Sequence, residues 1–204
     1  QVIHGIYRGY DIFSMPPPSS GGIHVVQILN ILEAYDLSQL EPNSTEFVHL
    51  LAEAMKLAFA DRAHFLGDSD FVAVPIKGLI SKSYAKERRQ LIQPDQAMML
   101  ESHGNPMPVE SDHTTHFSVL DQDGNAVSIT QTVNTGFGSG MVVERTGIIL
   151  NNEMDDFSAQ PGMPNVYGLV GAEANAIAPK KRPLSSMSPT IITKDDQPFM
   201  VIGS

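Results

Sequence analysis

The chain has no cysteine in its 204 residues. That excludes thiol catalysis, disulfides and thiolate metal sites together. It leaves the compartment open, because a secreted protein need not carry disulfides. Basic residues are also few: 13 Lys and Arg stand against 23 Asp and Glu, for a formal charge of −10. An acidic surface repels phosphate backbones, so nucleic acid is not an expected partner. Long apolar runs are missing too. The longest apolar-rich stretch, 23–32, contains His24, Gln27 and Asn30. It is too short and too polar to cross a bilayer. No repeat and no low-complexity tract is present. Neither end reads as a natural terminus, since the chain opens on Gln1 without a signal peptide and stops at Ser204 just after an apparent strand. It is therefore read as an internal segment of a longer protein.

What is there is an ordinary globular balance, 42% hydrophobic and 18% charged, long enough for one sizeable core or two lobes. An extended segment over 7–14 leads into three prolines and the glycine pair Gly21 and Gly22, which release the chain into a helix over 23–35. Asn43, Ser44, Thr45 and Glu46 supply capping chemistry for a second helix. Along it Phe47, Leu50, Leu51, Ala54, Leu57 and Ala58 recur at spacings of three and four, one face of an amphipathic helix. Residues 81–93, rich in Lys and Arg, predict a surface helix. Residues 100–112, with Gly104, Pro106 and Pro108, read as a linker. After it the period becomes two. Strands are predicted over 115–121, 126–134, 190–193 and 199–202. Helices first and strands second indicate a layered α+β fold, with a boundary between a mostly helical 1–113 and a β-rich 114–204.

The hairpin around Gly124 sets a register. A three-residue loop, Gln122, Asp123 and Gly124, wants glycine at its third position and places Thr114 opposite Thr132. Opposed side chains lie about 5 Å apart at Cβ, and Asn134, two residues on, falls on the same face. A two-residue turn at Asp123 and Gly124 would instead set Thr114 against Val133.

Why would Thr114 be reactive? A threonine hydroxyl is a poor nucleophile without a base, and an N-terminal threonine carries one in its own α-amino group. That amine has a reference pKa of about 7.7–8, so much of it is neutral near physiological pH. Exposing it requires cutting the bond between His113 and Thr114. The Thr114 hydroxyl can do this by attacking the His113 carbonyl, with hydrolysis of the resulting ester. Taken alone, residues 112–116 (DHTTH) also read as a plain polar strand entrance. The spacing of Asp112, His113 and His116 matches no common zinc pattern, so no metal is expected.

Six motifs carry a resemblance. They are MPPPSSGG at 15–22, DHTTHFSV at 112–119, DGNAV at 123–127, NNEMDDFS at 151–158, PNVYG at 164–168 and RPLSSMSP at 182–189. In this order along the whole chain they resemble the γ-glutamyltransferase family, self-cleaving N-terminal-nucleophile hydrolases with an αββα sandwich. The resemblance implies that residues up to His113 end a large subunit and that Thr114 begins a small one. The two would remain a heterodimer made from one precursor. It implies transfer of the γ-glutamyl group of glutathione and related compounds to Thr114, then to water or to amino-acid and dipeptide acceptors, with no cofactor. Thr132 would hydrogen-bond the nucleophile. Asn134, Glu153 and Asp156 would hold the substrate's α-amino group, and Ser185 and Ser186 its α-carboxylate. Tyr167 would be a lid. Ser19 and Ser20 read as structural, shaping a turn. Two family parts fall outside these residues: an earlier arginine that pairs with the carboxylate, and oxyanion glycines expected just after Ser204. The 204 residues alone are therefore expected to be inactive or nearly so. Family members are commonly periplasmic, secreted or surface-anchored.

Two other functions share the pattern. A glutaryl (cephalosporin) acylase would keep Thr114 and change the substrate, although a glutaryl group has no ammonium for Glu153 and Asp156 to bind. A degenerate relative would serve as a scaffold or binding module, against which the intact Thr114, Thr132 and Asn134 argue.

Overall fold

Strand pairing joins the first residues of the chain to the last. In the computed structural model, which describes residues 1–99, 114–164 and 170–204, a four-stranded antiparallel sheet runs β1-β2-β5-β6. Its first pair, β1 (Ile3–Tyr7) and β2 (Tyr10–Ser14), turns tightly at Arg8 and Gly9, both at positive φ. The residue pattern indicates one extended segment over 7–14 and does not reveal β1. The reason is Gly5, which weakens the strand pattern but is needed there. A Cβ on it would lie 2.5 Å from Val26 Cγ1, so its bareness lets a helix approach the strand.

β2 then pairs with β5 (Thr190–Lys194), and β5 with β6 (Gln197–Ile202). The expected order, helices before strands, is thus only partly met: two strands precede the helices and share a sheet with the last two. The separate hairpin of β3 (Thr114–Leu120) and β4 (Ala126–Thr132) rests against the β5 start and the β6 end. Ser118 Oγ donates to Val201 O at 3.0 Å, Ser128 Oγ donates to Ile202 O at 3.0 Å, and Thr190 N donates to Ser128 Oγ at 3.1 Å. Among the described residues its other face, with Phe117, Val119 and Val127, is exposed.

The helices follow their sequence signals closely. α1 (Gly21–Leu32) lays Ile23 and Val26 on Ile3 and Ile12 of the sheet. α2 (Thr45–Phe65) starts where Ser44 Oγ accepts from Phe47 N at 3.2 Å. It buries Leu50, Ala54 and Leu57 against Ile31 and Leu32 of α1. A short α3 (Ile76–Leu79) precedes α4 (Lys82–Arg89), which Ser81 caps and which is shorter than the 81–93 expected. A buried acid ties the three longer helices together. Asp61 of α2 accepts from Gln27 Nε2 of α1 and from the Tyr84 hydroxyl of α4 (3.0 Å), and it pairs with Arg88 of α4 at 3.1 Å. The linker expected over 100–112 lies outside the described residues.

Just past α2, Asp68 is fully buried and holds Arg182 by a fork. Arg182 Nε donates to Oδ2 at 2.9 Å, Nη2 donates to Oδ1 at 2.5 Å, and Arg182 N adds a third bond at 2.9 Å. This clamp anchors the loop that carries Ser185 and Ser186. The guanidinium holds the Asp68 carboxyl well below the usual carboxylate range. A depressed folded pKa stabilises above the unfolded value, and that stability is lost only as pH falls through the folded value. Asp68→Asn is expected to cost about 2 kcal/mol. The loss should be undiminished from pH 5 to pH 8 and shrink only in strong acid, as measured by urea unfolding of the full-length protein.

Candidate active site

The turn of the β3–β4 hairpin is built as the three-residue reading requires. Asp121 Oδ1 accepts from Asp123 N at 3.0 Å and from Asn125 N at 2.8 Å, while Gly124 takes a φ of +83°. Asp121 N donates to Asn125 O, closing the ladder. Thr114 therefore faces Thr132, and Thr114 Oγ1 donates to Thr132 Oγ1 at 3.3 Å. The two-residue alternative, with Thr114 opposite Val133, does not occur.

Asn134 reaches the site by another route than strand alternation. β4 ends at Thr132, short of the predicted 134, because Asn134 turns to φ +78°. Its backbone N donates to Thr132 Oγ1 at 2.9 Å. The Thr132 hydroxyl oxygen thus serves both Thr114 and the turn. Beyond it, Thr135 N and Oγ1 both donate to Asn152 Oδ1, at 3.2 and 3.1 Å. These bonds dock the segment carrying Glu153 and Asp156, one 3₁₀ turn, beside the end of β4.

Asn175 was not singled out in the sequence, yet it connects two parts of the site. Buried, it donates from Nδ2 to Asp156 O at 2.7 Å and accepts Leu184 N on Oδ1 at 3.1 Å. One side chain so fixes the acidic turn relative to the Ser185–Ser186 loop. Ser19 and Ser20 support that loop from behind. A parallel bridge pairs Ser19 with Ser185, Ser20 Oγ donates to Ser185 O at 3.0 Å, and Ser19 Oγ donates to Met187 O at 2.6 Å. The loop lies so close that a Cβ on Gly21 would meet Met187 O at 2.3 Å. These serines therefore do more than shape their own turn. The Ser185 hydroxyl is turned into its loop, accepting from Met187 N at 3.2 Å.

The second residue that sequence reasoning missed is Arg62. It sits on α2 one turn after Ala58, on the stripe that Ala54 and Ala58 bury, and is only 6% exposed. A charged residue on an otherwise apolar stripe was the available signal. Arg62 Nε donates to Ser20 Oγ and Nη2 to Ser186 Oγ, each at 3.2 Å. Burial lowers its pKa to about 10, partly offset by the charge of Asp156, so it remains a cation at neutral pH. Neighbouring His24 is uncharged: burial and the Arg62 charge lower its pKa to about 3.

Asp156 is the electrostatic focus of the acidic turn. Burial, then its hydrogen bond to Glu153 and the Glu153 charge, push it up to about 7, against the pull of Arg62 and a hydrogen bond from Asn134. Thr114, Thr132, Asn134, Glu153, Asp156 and Ser186 thus form a continuous set of interacting groups, closed by Arg62. His116, next but one to Thr114, is occupied by Thr130 Oγ1 at 2.8 Å. Among the described residues no group of three acids or histidines is placed to hold a metal ion. His113 and Tyr167 lie outside the described residues.

A family model described as gamma-glutamyltranspeptidase matches residues 1–204. The chain is 56% identical over 204 residues to the glutathione hydrolase proenzyme of Escherichia coli (strain K12), an alignment covering 99% of this chain and 35% of that protein. It is 46% identical over 203 residues to the Acylase ACY 1 proenzyme of Pseudomonas sp. (strain SE83), covering 100% of this chain and 34% of that protein. A crystal structure of cephalosporin acylase from Bacillus halodurans superposes with a TM-score of 0.76 at 32% identity, over 98% of this chain and 33% of that one. The chain therefore spans about a third of the length of the curated relatives it matches. The α+β fold expected from the N-terminal-nucleophile hydrolase resemblance is the fold observed.

Asp156 should titrate near pH 7 when followed by carboxyl-carbon NMR in the full-length, ligand-free protein. Glu153→Gln removes the like charge and should lower that midpoint, leaving the part due to burial in place. A midpoint unmoved by Glu153→Gln would show that the two carboxyls do not interact.

Proposed function

The chain belongs to the gamma-glutamyltranspeptidase family, and on that ground we propose that the protein is a self-cleaving N-terminal threonine hydrolase acting on γ-glutamyl amides such as glutathione. The observation that carries this reading is the hydroxyl pair of Thr114 and Thr132 at a strand end, with Asn134 bonded to Thr132 and leading to the acidic turn of Glu153 and Asp156.

Maturation begins when Thr114 Oγ1 attacks the carbonyl carbon of His113. The C–N bond breaks, the Thr114 amine is freed, and His113 is held as an ester. Water hydrolyses the ester, leaving a carboxylate on His113 and a free hydroxyl on Thr114. The new α-amino group then serves as base. It takes the Thr114 hydroxyl proton as the oxygen attacks the γ-carbonyl of the donor, and it passes that proton to the departing amine. A γ-glutamyl ester on Thr114 remains. Water releases glutamate from it, or an amino-acid or dipeptide amine takes the γ-glutamyl group. Thr132 orients the nucleophile. Asn134, Glu153 and Asp156 receive the donor's ammonium, for which acidic and amide oxygens in a half-buried turn are suited. Ser185 and Ser186 receive its α-carboxylate, and Tyr167 covers the acyl-enzyme. The two products of cleavage stay together as large and small subunits, because β2, before the cut, pairs with β5, after it. From the family resemblance the protein works in the periplasm or outside the cell.

A second reading is favoured by the 46% identity to an acylase proenzyme. There Thr114 would carry a glutaryl group instead. The two readings differ in one chemical feature, the donor ammonium.

Intact mass of the full-length protein beside Thr114→Ala tests the nucleophile. The wild type is expected as two pieces, one beginning at Thr114, and the variant as one. A wild type that stays whole after long incubation would leave only a non-catalytic relative.

The donor follows from pH dependence. A γ-glutamyl ammonium binds the deprotonated acidic pair, so a proton on Asp156 competes with it below about pH 7. The KM for a γ-glutamyl donor should climb as pH falls from 8 to 6, approaching roughly tenfold per unit at the acid end. A glutaryl donor has no ammonium and should show no such climb, whereas loss of the α-amino base affects both donors alike. Preferential turnover of the glutaryl donor would favour the acylase.

A further inference from the structure

We propose that Arg62 is a positioning residue for carboxylate recognition: its guanidinium fixes the Ser186 hydroxyl as an acceptor, leaving the Ser186 proton to be donated to the donor's α-carboxylate. This rests on the γ-glutamyl reading above and adds a residue to it.

The argument begins with burial. Arg62 lies inside the protein, and among the described residues no carboxylate comes within 4 Å of it. A desolvated cation without a paired anion is costly, and a fold keeps one where an anion is to arrive. Asp156 answers its charge only at longer range. His24, the ionisable group packed nearby on α1, is neutral and adds no charge.

Hydrogen-bond direction supplies the second step. A guanidinium has donors and no acceptor. Ser186 Oγ, at 3.2 Å from Nη2, must therefore accept, and it cannot turn its proton toward Arg62. Among the described residues that proton is committed to no other group. Ser20 shows the same logic completed: its oxygen accepts from Arg62 Nε at 3.2 Å, and its proton goes to Ser185 O at 3.0 Å. One buried cation thus fixes the Ser185–Ser186 backbone through Ser20 and the hydroxyl rotor of Ser186 directly.

The test is a double-mutant cycle in the full-length protein: wild type, Arg62→Gln, Ser186→Ala and the double variant. The donors are γ-glutamyl-p-nitroanilide and 4-aminobutyryl-p-nitroanilide, which lacks only the α-carboxylate. Arg62→Gln is expected to lower kcat/KM for the first donor roughly tenfold or more, mostly through KM. It should lower kcat/KM for the second by less than about threefold. In the Ser186→Ala background the same change should have little further effect. Self-cleavage and the melting temperature report whether Arg62→Gln folds. Where it does not, Arg62→Lys, which keeps a buried cation, carries the same cycle. Equal losses on both donors, or losses that simply add to those of Ser186→Ala, would overturn the proposal while leaving the γ-glutamyl reading intact. A wild type inert on both donors would overturn that reading, and this inference with it.

Discussion

The pairing of β2 with β5 is the constraint on which the rest depends. It joins Ser14 to Thr190, 176 residues apart, with a hydroxyl contact of 2.9 Å. From there the two chain segments run on side by side. Ser19 bridges to Ser185, Gly21 at the start of α1 lies against Met187, and Asp68 beyond α2 captures Arg182. Each contact shortens the freedom left for the next. The outcome is that residues 182–189, without regular structure of their own, are held by a sheet, a helix start and an ion pair. A loop restrained this way can present small hydroxyls with a defined direction.

Charges of both signs stand near that loop. Arg62 lies behind Ser186, and Glu153 with Asp156 lies beyond Asn134. The two are coupled, since burial makes each charge sensitive to the other: Asp156 moderates the fall in the Arg62 pKa, and Arg62 moderates the rise in that of Asp156. An amino acid's own ammonium and carboxylate form a pair of the same kind. Under the γ-glutamyl reading proposed above, a site with charges of both signs suits such a zwitterion better than a simple carboxylic acid. Identity to known proteins does not make this distinction, because proenzymes named for glutathione hydrolysis and for acylase activity both match across nearly the whole chain. The side chains around Asp156 and Arg62 are the better guide to the donor.

Residue pattern alone was enough for the local features. Ser44 caps α2 as its position indicated, and Leu50, Ala54, Leu57 and Ala58 are the buried stripe of α2. Gly124 set the hairpin register and with it the Thr114–Thr132 contact. In each case the cause lies within a few residues of its effect, or within one ladder counted from one turn. The order of motifs also identified the family, since six of them recur in sequence along the chain.

Tertiary structure decided what the pattern could not. β1 was hidden because Gly5 answers to Val26, on a helix later in the chain. Asn134 reaches the site by a left-handed turn onto Thr132 rather than by strand alternation. Asn175 is an amide in a loop, and Arg62 a charge on an otherwise apolar helix stripe, with no partner for either visible in sequence. Their roles exist only because distant segments converge on them: Asp156 and Leu184 on the amide, Ser20 and Ser186 on the guanidinium. Periodicity reports which face of an element is buried. It cannot report what that face meets, because the meeting is set by long-range strand pairing and by the electrostatics of groups that share no neighbourhood in the chain.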